Sequence, residues 1–233
     1  MMRLRLDVLY TYDDRGRLLL SNEPVESSRV ARAELALAYA NGRSELRIGA
    51  SIPDEVAGQL RAIPAEQLLQ TDLDTYLAEI EGMLSPHGTW TRGGGPAYRF
   101  PDAIAPHADA VEITHANSEF LREHIGWLIE ELDDWSPVSA AVVDGSAVSI
   151  CMSSRSNERC AEAGLWTAEA FRGRGFGPIV TQSWAATIQK SGRIPFYSTW
   201  WANDASRAVA RKLELISIGE DVTYRRSEPL DIP

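Results

Sequence analysis

Six residues, Arg172-Gly173-Arg174-Gly175-Phe176-Gly177, constrain this chain more than any other stretch. They follow a strand-like run, Cys160 to Thr167, and open directly onto a helical pattern. Their glycines free the backbone to turn tightly, so that its N–H groups can face a ligand. The helix N-terminus adds unsatisfied donors and the positive end of its dipole. Strand, glycine turn and helix in that order predict a socket for phosphate.

The elements around the loop follow from periodicity and caps. Val111 to Thr114 reads as a strand, and Asn117 or Ser118 then caps a helix to about Asp133 with Phe120, Ile125, Leu128 and Leu132 on its apolar side. Pro137 to Val143 and Ala147 to Met152 flank Asp144-Gly145, a hairpin turn. Ser153 to Arg159 reads as a polar loop, and Cys160 to Thr167 as the next strand. After the glycines comes a helix with Pro178 in its first turn, Val180, Trp184 and Ile188 on one face, and Gly192 past its end. Ile194 to Trp200 is a strand, Asn203 caps a helix through Leu213, and Leu215 to Arg225 forms one or two strands around Gly219. This order predicts an α/β domain: a mixed sheet flanked by helices.

The first ninety residues read as a small α+β unit. Leu4 to Tyr12 alternates like a strand, and Asp13-Asp14-Arg15-Gly16 turns the chain into Leu18-Leu19-Leu20. Asn41-Gly42 joins Ala31 to Tyr39 with Ser44 to Ile52 as a hairpin, although the Ala/Leu-rich first run also suits a helix. Helices are expected from Pro53-Asp54-Glu55, with Val56, Leu60 and Ile63 on one face, and from Asp72 to Leu84. Thr91-Arg92-Gly93-Gly94-Gly95-Pro96 is the most linker-like stretch. The expected division is therefore an N-terminal unit over 1–100 and a second domain over 107–233.

Bulk properties narrow the function classes. At 233 residues, 44% apolar and 24% charged, the chain can bury a full core. A net charge of -10 argues against broad nucleic-acid binding, and no run approaches a membrane span. The N-terminus lacks the apolar core of a signal peptide, so a cytoplasmic location is expected. Cys151 and Cys160 lack metal-ligand companions and read as reduced structural thiols, so no metal is expected. His107, His115 and His124 read as surface or capping groups.

Two phosphate-binding patterns fail. A P-loop needs Gly-Lys-Ser/Thr where Phe176-Gly177-Pro178 stands, and a dinucleotide fingerprint needs an acid where Arg193 stands. The loop instead resembles that of the GCN5-related N-acetyltransferase family, Arg/Gln-x-x-Gly-x-Gly/Ala, and matches each specified position. Asn203-Asp204-Ala205-Ser206, about thirty residues on, resembles a second family segment. The resemblance covers roughly residues 110 to 226.

That resemblance implies a mostly antiparallel sheet and direct attack by an amine on the thioester of acetyl-CoA, a co-substrate. It assigns the pyrophosphate to Arg172, Gly173, Arg174, Gly175, Phe176 and Gly177. A backbone N–H on Leu165, Trp166 or Thr167 would meet the oxyanion, where two strands splay apart. Asn203, with Ser206, would hold the pantetheine arm. Glu162 is the candidate base, with a structural carboxylate as the equal alternative. The family's Tyr, which protonates the leaving thiolate, is replaced by Ala210, so Tyr197, Ser198, Tyr224 or solvent must serve. Trp166, Trp200 and Trp201 suit an acceptor pocket, or core or interface positions. The N-terminal unit would cover the acceptor side or support a homodimer. A non-catalytic acyl-CoA-binding module is the alternative to an N-acetyltransferase.

Overall fold

The computed structural model describes residues 1–25 and 33–227. Two units divide the chain, one from residues 1–21, 30–97 and 218–233, the other from 22–29 and 98–217. Sequence reasoning put everything after residue 107 in the second unit. The described residues 218–227 instead belong with the first, because Glu220 to Tyr224 pair with Tyr39 to Leu35.

The first unit begins with a helix, α1 (Met2–Leu9), where alternation predicted a strand. The alternation misleads because Arg5 is buried beside Leu6, Val8 and Leu9, held by an ion pair with Asp221. A hairpin follows, β1 (Tyr10–Tyr12) and β2 (Leu18–Ser21), as expected from Asp13–Gly16. The Ala/Leu-rich run is a strand, β3 (Leu35–Ala40), paired with β4 (Arg43–Ile48) through Asn41 and Gly42, both at positive φ. Ala31 and Arg32 lie outside the described residues. Leu35 and Leu37 join the core built on α2 (Asp54–Ala62) and α3 (Leu73–Leu84), whereas Ala36 and Ala38 join Leu6 of α1. With both faces buried, β3 shows no polar alternation, which is why it also read as a helix.

The glycine-rich stretch expected to link the units is a strand, β5 (Trp90–Arg99), and the chain passes between units inside it, after Ala97. Gly94 has φ 147°, a backbone that side-chain-bearing residues rarely adopt, so here glycine fits a strand and does not break it. The last strand, β11 (Ile216–Arg226), is continuous through Gly219, at φ 126°. Strand order in the first unit is β4-β3-β11-β5.

In the second unit the order is β10-β9-β8-β7-β6: β6 (Val111–Ile113), β7 (Val138–Val143), β8 (Ser146–Ser156), β9 (Cys160–Thr167) and β10 (Ile194–Ser198). Among the described registers only β9–β10 is parallel. This is the expected mixed α/β, mostly antiparallel architecture. The single helix expected to Asp133 is broken into short 3-10 turns with α4 (Arg122–Ile125) and α5 (Leu132–Trp135). Its cap is Thr114, in a reciprocal box with Asn117, and Asn117 itself is non-helical at φ -136°. The apolar spacing still works, since Leu121, Ile125, Leu128 and Leu132 bury against β7 and β8.

A 15-residue helix, α6 (Phe176–Lys190), packs Val180, Trp184, Ala185 and Ile188 into a second core with Cys151, Ala161 and Tyr197. The indole of Trp184 donates to Ser153 Oγ at 3.2 Å. Both cysteines are fully buried thiols, Cys160 Sγ donating to Asn157 Oδ1 at 3.4 Å, and burial pushes the Cys151 thiol up, out of the reactive range. Among the described residues no helix is long and apolar enough to cross a membrane.

Burial also raises five tyrosines: Tyr12 to about 12, Tyr39, Tyr197 and Tyr224 beyond that, and Tyr76 upward as well. Each favours the neutral phenol in the folded state, while the unfolded chain ionises near pH ~10. Their stability contribution is full below that pH and is lost as pH rises towards the folded values. Denaturant midpoints should therefore hold steady to about pH 9.5 and then fall. Tyr197→Phe should flatten part of that fall; an unchanged slope would contradict burial of this phenol.

Candidate active site

β9 reaches the glycine loop through a single 3-10 turn, Glu169–Phe171. Gly173 and Gly175 then take φ 75° and 90°, which turns the chain into α6. Gly175 is the N-cap, with no side-chain cap bond and no acid in the first turn. Among the described residues, none of the N–H groups of 173–177 has a hydrogen-bond acceptor. Pro178 brings no N–H. Gly177 is glycine for a different reason: a Cβ there would lie 3.3 Å from Leu165 and 3.4 Å from Val209. It lets α6 pack closely on β9.

Three cations gather at this loop. The Arg172 guanidinium donates to the Thr167 carbonyl at 3.2 Å, and that of Arg174 lies 5.0 Å over the Phe171 ring. The third was missed by sequence reasoning. Lys212, in the last turn of α7 (Asp204–Lys212), places its ammonium 3.5 Å from where a Cβ on Gly175 would stand. Among the described residues none of the three forms an ion pair. Lys212 is one of two lysines in the chain, and that rarity was the available signal. Donors without acceptors and cations without carboxylates fit an anionic group.

β9 and β10 pair only at Cys160–Ile194, Ala161–Pro195 and Glu162–Phe196. β9 runs on to Thr167, still paired with β8, so five of its residues extend past the last β10 partner. Leu165, Trp166 and Thr167 lie in this stretch. A register shift around Ser154 in β8 sits opposite Glu162 and Ala163, and Ser154 Oγ donates to the Glu162 carbonyl at 3.1 Å. The same shift requires Gly164, where a Cβ would be 3.0 Å from that of Ser154. β8 therefore continues to Ser156, where a polar loop was expected from Ser153.

Glu162 is 3% exposed and its Oε1 accepts from Ser198 Oγ at 2.5 Å. Parallel register puts Glu162, Phe196 and Ser198 on one face, so these two candidates come together at the mouth of the splay. Tyr197 points to the opposite face. Its hydroxyl bonds Ser206, both at the side chain and at the carbonyl, which joins β10 to the start of α7. Asn203 is the N-cap of α7, its Oδ1 accepting from Ser206 N–H at 3.0 Å. Ala210 is 2% exposed in the core beside α6, and Tyr224 lies in the first unit, donating to Glu81 at 3.0 Å.

An aromatic row extends from the end of β9 to the loop. Trp166 lies 6.4 Å from the His124 ring, His124 lies 6.3 Å from Phe171, and Phe171 lies 6.2 Å from Phe176. Trp200 and Trp201 are exposed between β10 and α7.

The family model described as FR47-like protein matches residues 155–225. No curated protein matches the chain. Among solved structures, a GCN5-related N-acetyltransferase-like protein from Streptococcus suis is similar at 16% identity, covering 82% of this chain and 84% of its own, with a TM-score of 0.46. A GNAT-family acetyltransferase from Colwellia psychrerythraea is similar at 14%, covering 81% and 80%, with a TM-score of 0.48. A GCN5-related N-acetyltransferase from Kribbella flavida is also similar at 14%, covering 86% and 89%, again at 0.48. Likenesses of that size decide nothing about chemistry. The segment of this chain that is similar to the FR47-like family contains Glu162, the glycine loop, Ser198 and Asn203 together, and the resemblance to the GCN5-related N-acetyltransferases stands on that segment.

Proposed function

We propose that this chain transfers an acyl group from an acyl-CoA, acetyl-CoA first of all, to an amine. The observation that carries the reading is the loop, whose N–H groups find no acceptor and whose three cations form no ion pair among the described residues, at the end of the strand that bears Glu162. From Glu162 to Thr167 the strand rises about 17 Å, a span comparable to an extended pantetheine arm. A donor held by its pyrophosphate at 173–177 can thus bring its thioester to the splay.

The thioester supplies an activated acyl carbon; the chain's own groups do the rest. The N–H groups of 173–177, with Arg172, Arg174 and Lys212, hold the pyrophosphate. Asn203, whose Oδ1 is used as a cap, has its Nδ2 donors for the pantetheine arm. Backbone N–H groups between Ala163 and Thr167 are candidates for the developing oxyanion. Because Glu162 is buried and Ser198 donates to it, the amine proton passes to Ser198 Oγ while the Ser198 proton passes to Glu162 Oε1. The amine nitrogen bonds to the acyl carbon and the C–S bond breaks. Tyr197 and Tyr224 are committed to other partners, so the thiolate takes its proton from solvent; at a thiol pKa of ~8.5 it is an adequate leaving group.

Ala210, buried where the family's acid stands, favours the second reading, a non-catalytic acyl-CoA-binding module. One assay separates them: thiol release from acetyl-CoA across a panel of small and peptidyl amines. Acyl transfer predicts release that depends on one amine class. Tight CoA binding with release on none of them would favour the module.

A further inference from the structure

The first unit holds a cavity that acyl transfer does not use. It opens beside β4, the edge strand of that unit, and measures about 500 Å³. Small-molecule sites commonly span about 300–1,000 Å³. Leu46, Leu60 and Ile63 form its apolar wall. At its base, the Ser44 and Tyr76 hydroxyls bond each other at 2.9 Å, with Tyr76 only 1% exposed.

Arg47 is the fixed point of this cavity. Its side chain is 15% exposed, and Asp7 and Glu45 grip it from two sides at 3.1 and 3.2 Å. The Leu46 carbonyl takes a third bond at 3.3 Å. The guanidinium also lies 5.9 Å over the Tyr12 ring, and Tyr12 is pinned by its own bond to the Leu6 carbonyl. A guanidinium carries five N–H donors in a rigid fork. These three bonds leave donors over, in an orientation already set, so little entropy remains to be lost on binding.

Arg3 and Arg61 line the same cavity, and among the described residues neither pairs with a carboxylate. Three arginines against Asp7 and Glu45 give this cavity a formal charge of +1, in a chain whose net charge is -10. Charges often guard an edge strand against pairing with other chains. That role suits the exposed Arg43, but it does not call for a clamped guanidinium inside a cavity.

We propose that the first unit binds a small organic carboxylate. Its charged end would meet Arg47, with Arg3 and Arg61 at the rim, and its apolar body would lie on Leu46, Leu60 and Ile63. This inference is independent of the acyl-transfer reading, and either can fail alone.

The test is an amide-resolved NMR titration of the full chain at low salt with benzoate, hexanoate, benzamide and inorganic phosphate. The expected result is saturable shifts at Ser44–Ile48 with benzoate or hexanoate, below about 10 mM. Uncharged benzamide should bind at least about tenfold more weakly. Arg61→Glu, an exposed change that leaves the core alone, should weaken carboxylate binding about tenfold. Arg47→Lys, which keeps the charge for Asp7 and Glu45 but loses the fork, should weaken it as well. Failure of both carboxylates to saturate, equal binding of benzamide, shifts with phosphate alone, or unchanged affinity in Arg61→Glu would each overturn the proposal.

Discussion

Glu162→Gln is expected to lower the turnover of acyl transfer by about 10²–10⁴-fold, the usual worth of a positioned general base. The KM for acetyl-CoA should stay within about threefold, since Glu162 lies on β9 away from the loop that holds the donor. Gln keeps an oxygen that can accept the 2.5 Å bond from Ser198, so the thermal midpoint should change little and a fall in turnover cannot be blamed on unfolding. Ser198→Ala should lower turnover less, because water can replace a hydroxyl in the relay, and Ser198→Thr should restore most of the loss. Undiminished turnover in Glu162→Gln would make this residue a structural carboxylate. Equal loss in Ser198→Ala and Ser198→Thr would remove the relay.

Gly175→Glu should cost about hundredfold in CoA affinity, close to 2.8 kcal/mol. Two effects add. At φ 90° any side chain strains the backbone by about 1–2 kcal/mol. A carboxylate there would also reach Lys212, 3.5 Å from its Cβ position, and set a like charge against the phosphate. Gly175→Ala separates them, since it shares the strain without the charge. Calorimetric titration with CoA should rank wild type above the Ala variant and the Ala variant well above the Glu variant. Lys212→Ala should weaken binding several-fold and reduce its salt dependence. Equal affinities in the Ala and Glu variants would mean that no phosphate sits at this loop.

What could be read from sequence was local. Asn41-Gly42 and Asp144-Gly145 need positive φ for their turns, and Asp72 and Asn203 cap the helices they precede. The loop was legible for the same reason, because its glycines answer to backbone angles within a few residues. The misses have distant causes. Arg5 disguises α1 because its partner, Asp221, is more than two hundred residues away. The glycines around Gly94 resembled a linker because nothing nearby in sequence marks β5 as a paired strand.

The site divides along the same line. Glu162 and Ser198 could each be picked as polar candidates, but their contact depends on a parallel register between strands separated by α6. Tyr197 shows the reverse. Its hydroxyl made it a candidate acid, and its register turns it to the other face, onto Ser206. Lys212 reaches the loop through the packing of α7, which no spacing rule describes.

The central claim is that the glycine loop holds the pyrophosphate of an acyl donor whose sulfur reaches the β9–β10 splay. Electron density from crystals grown with CoA tests it most directly. The account predicts phosphate oxygens within hydrogen-bond distance of the N–H groups of 173–177 and of Lys212, with the sulfur beside Ser198. Density for CoA elsewhere on the chain, or an empty loop at saturating CoA, would contradict it.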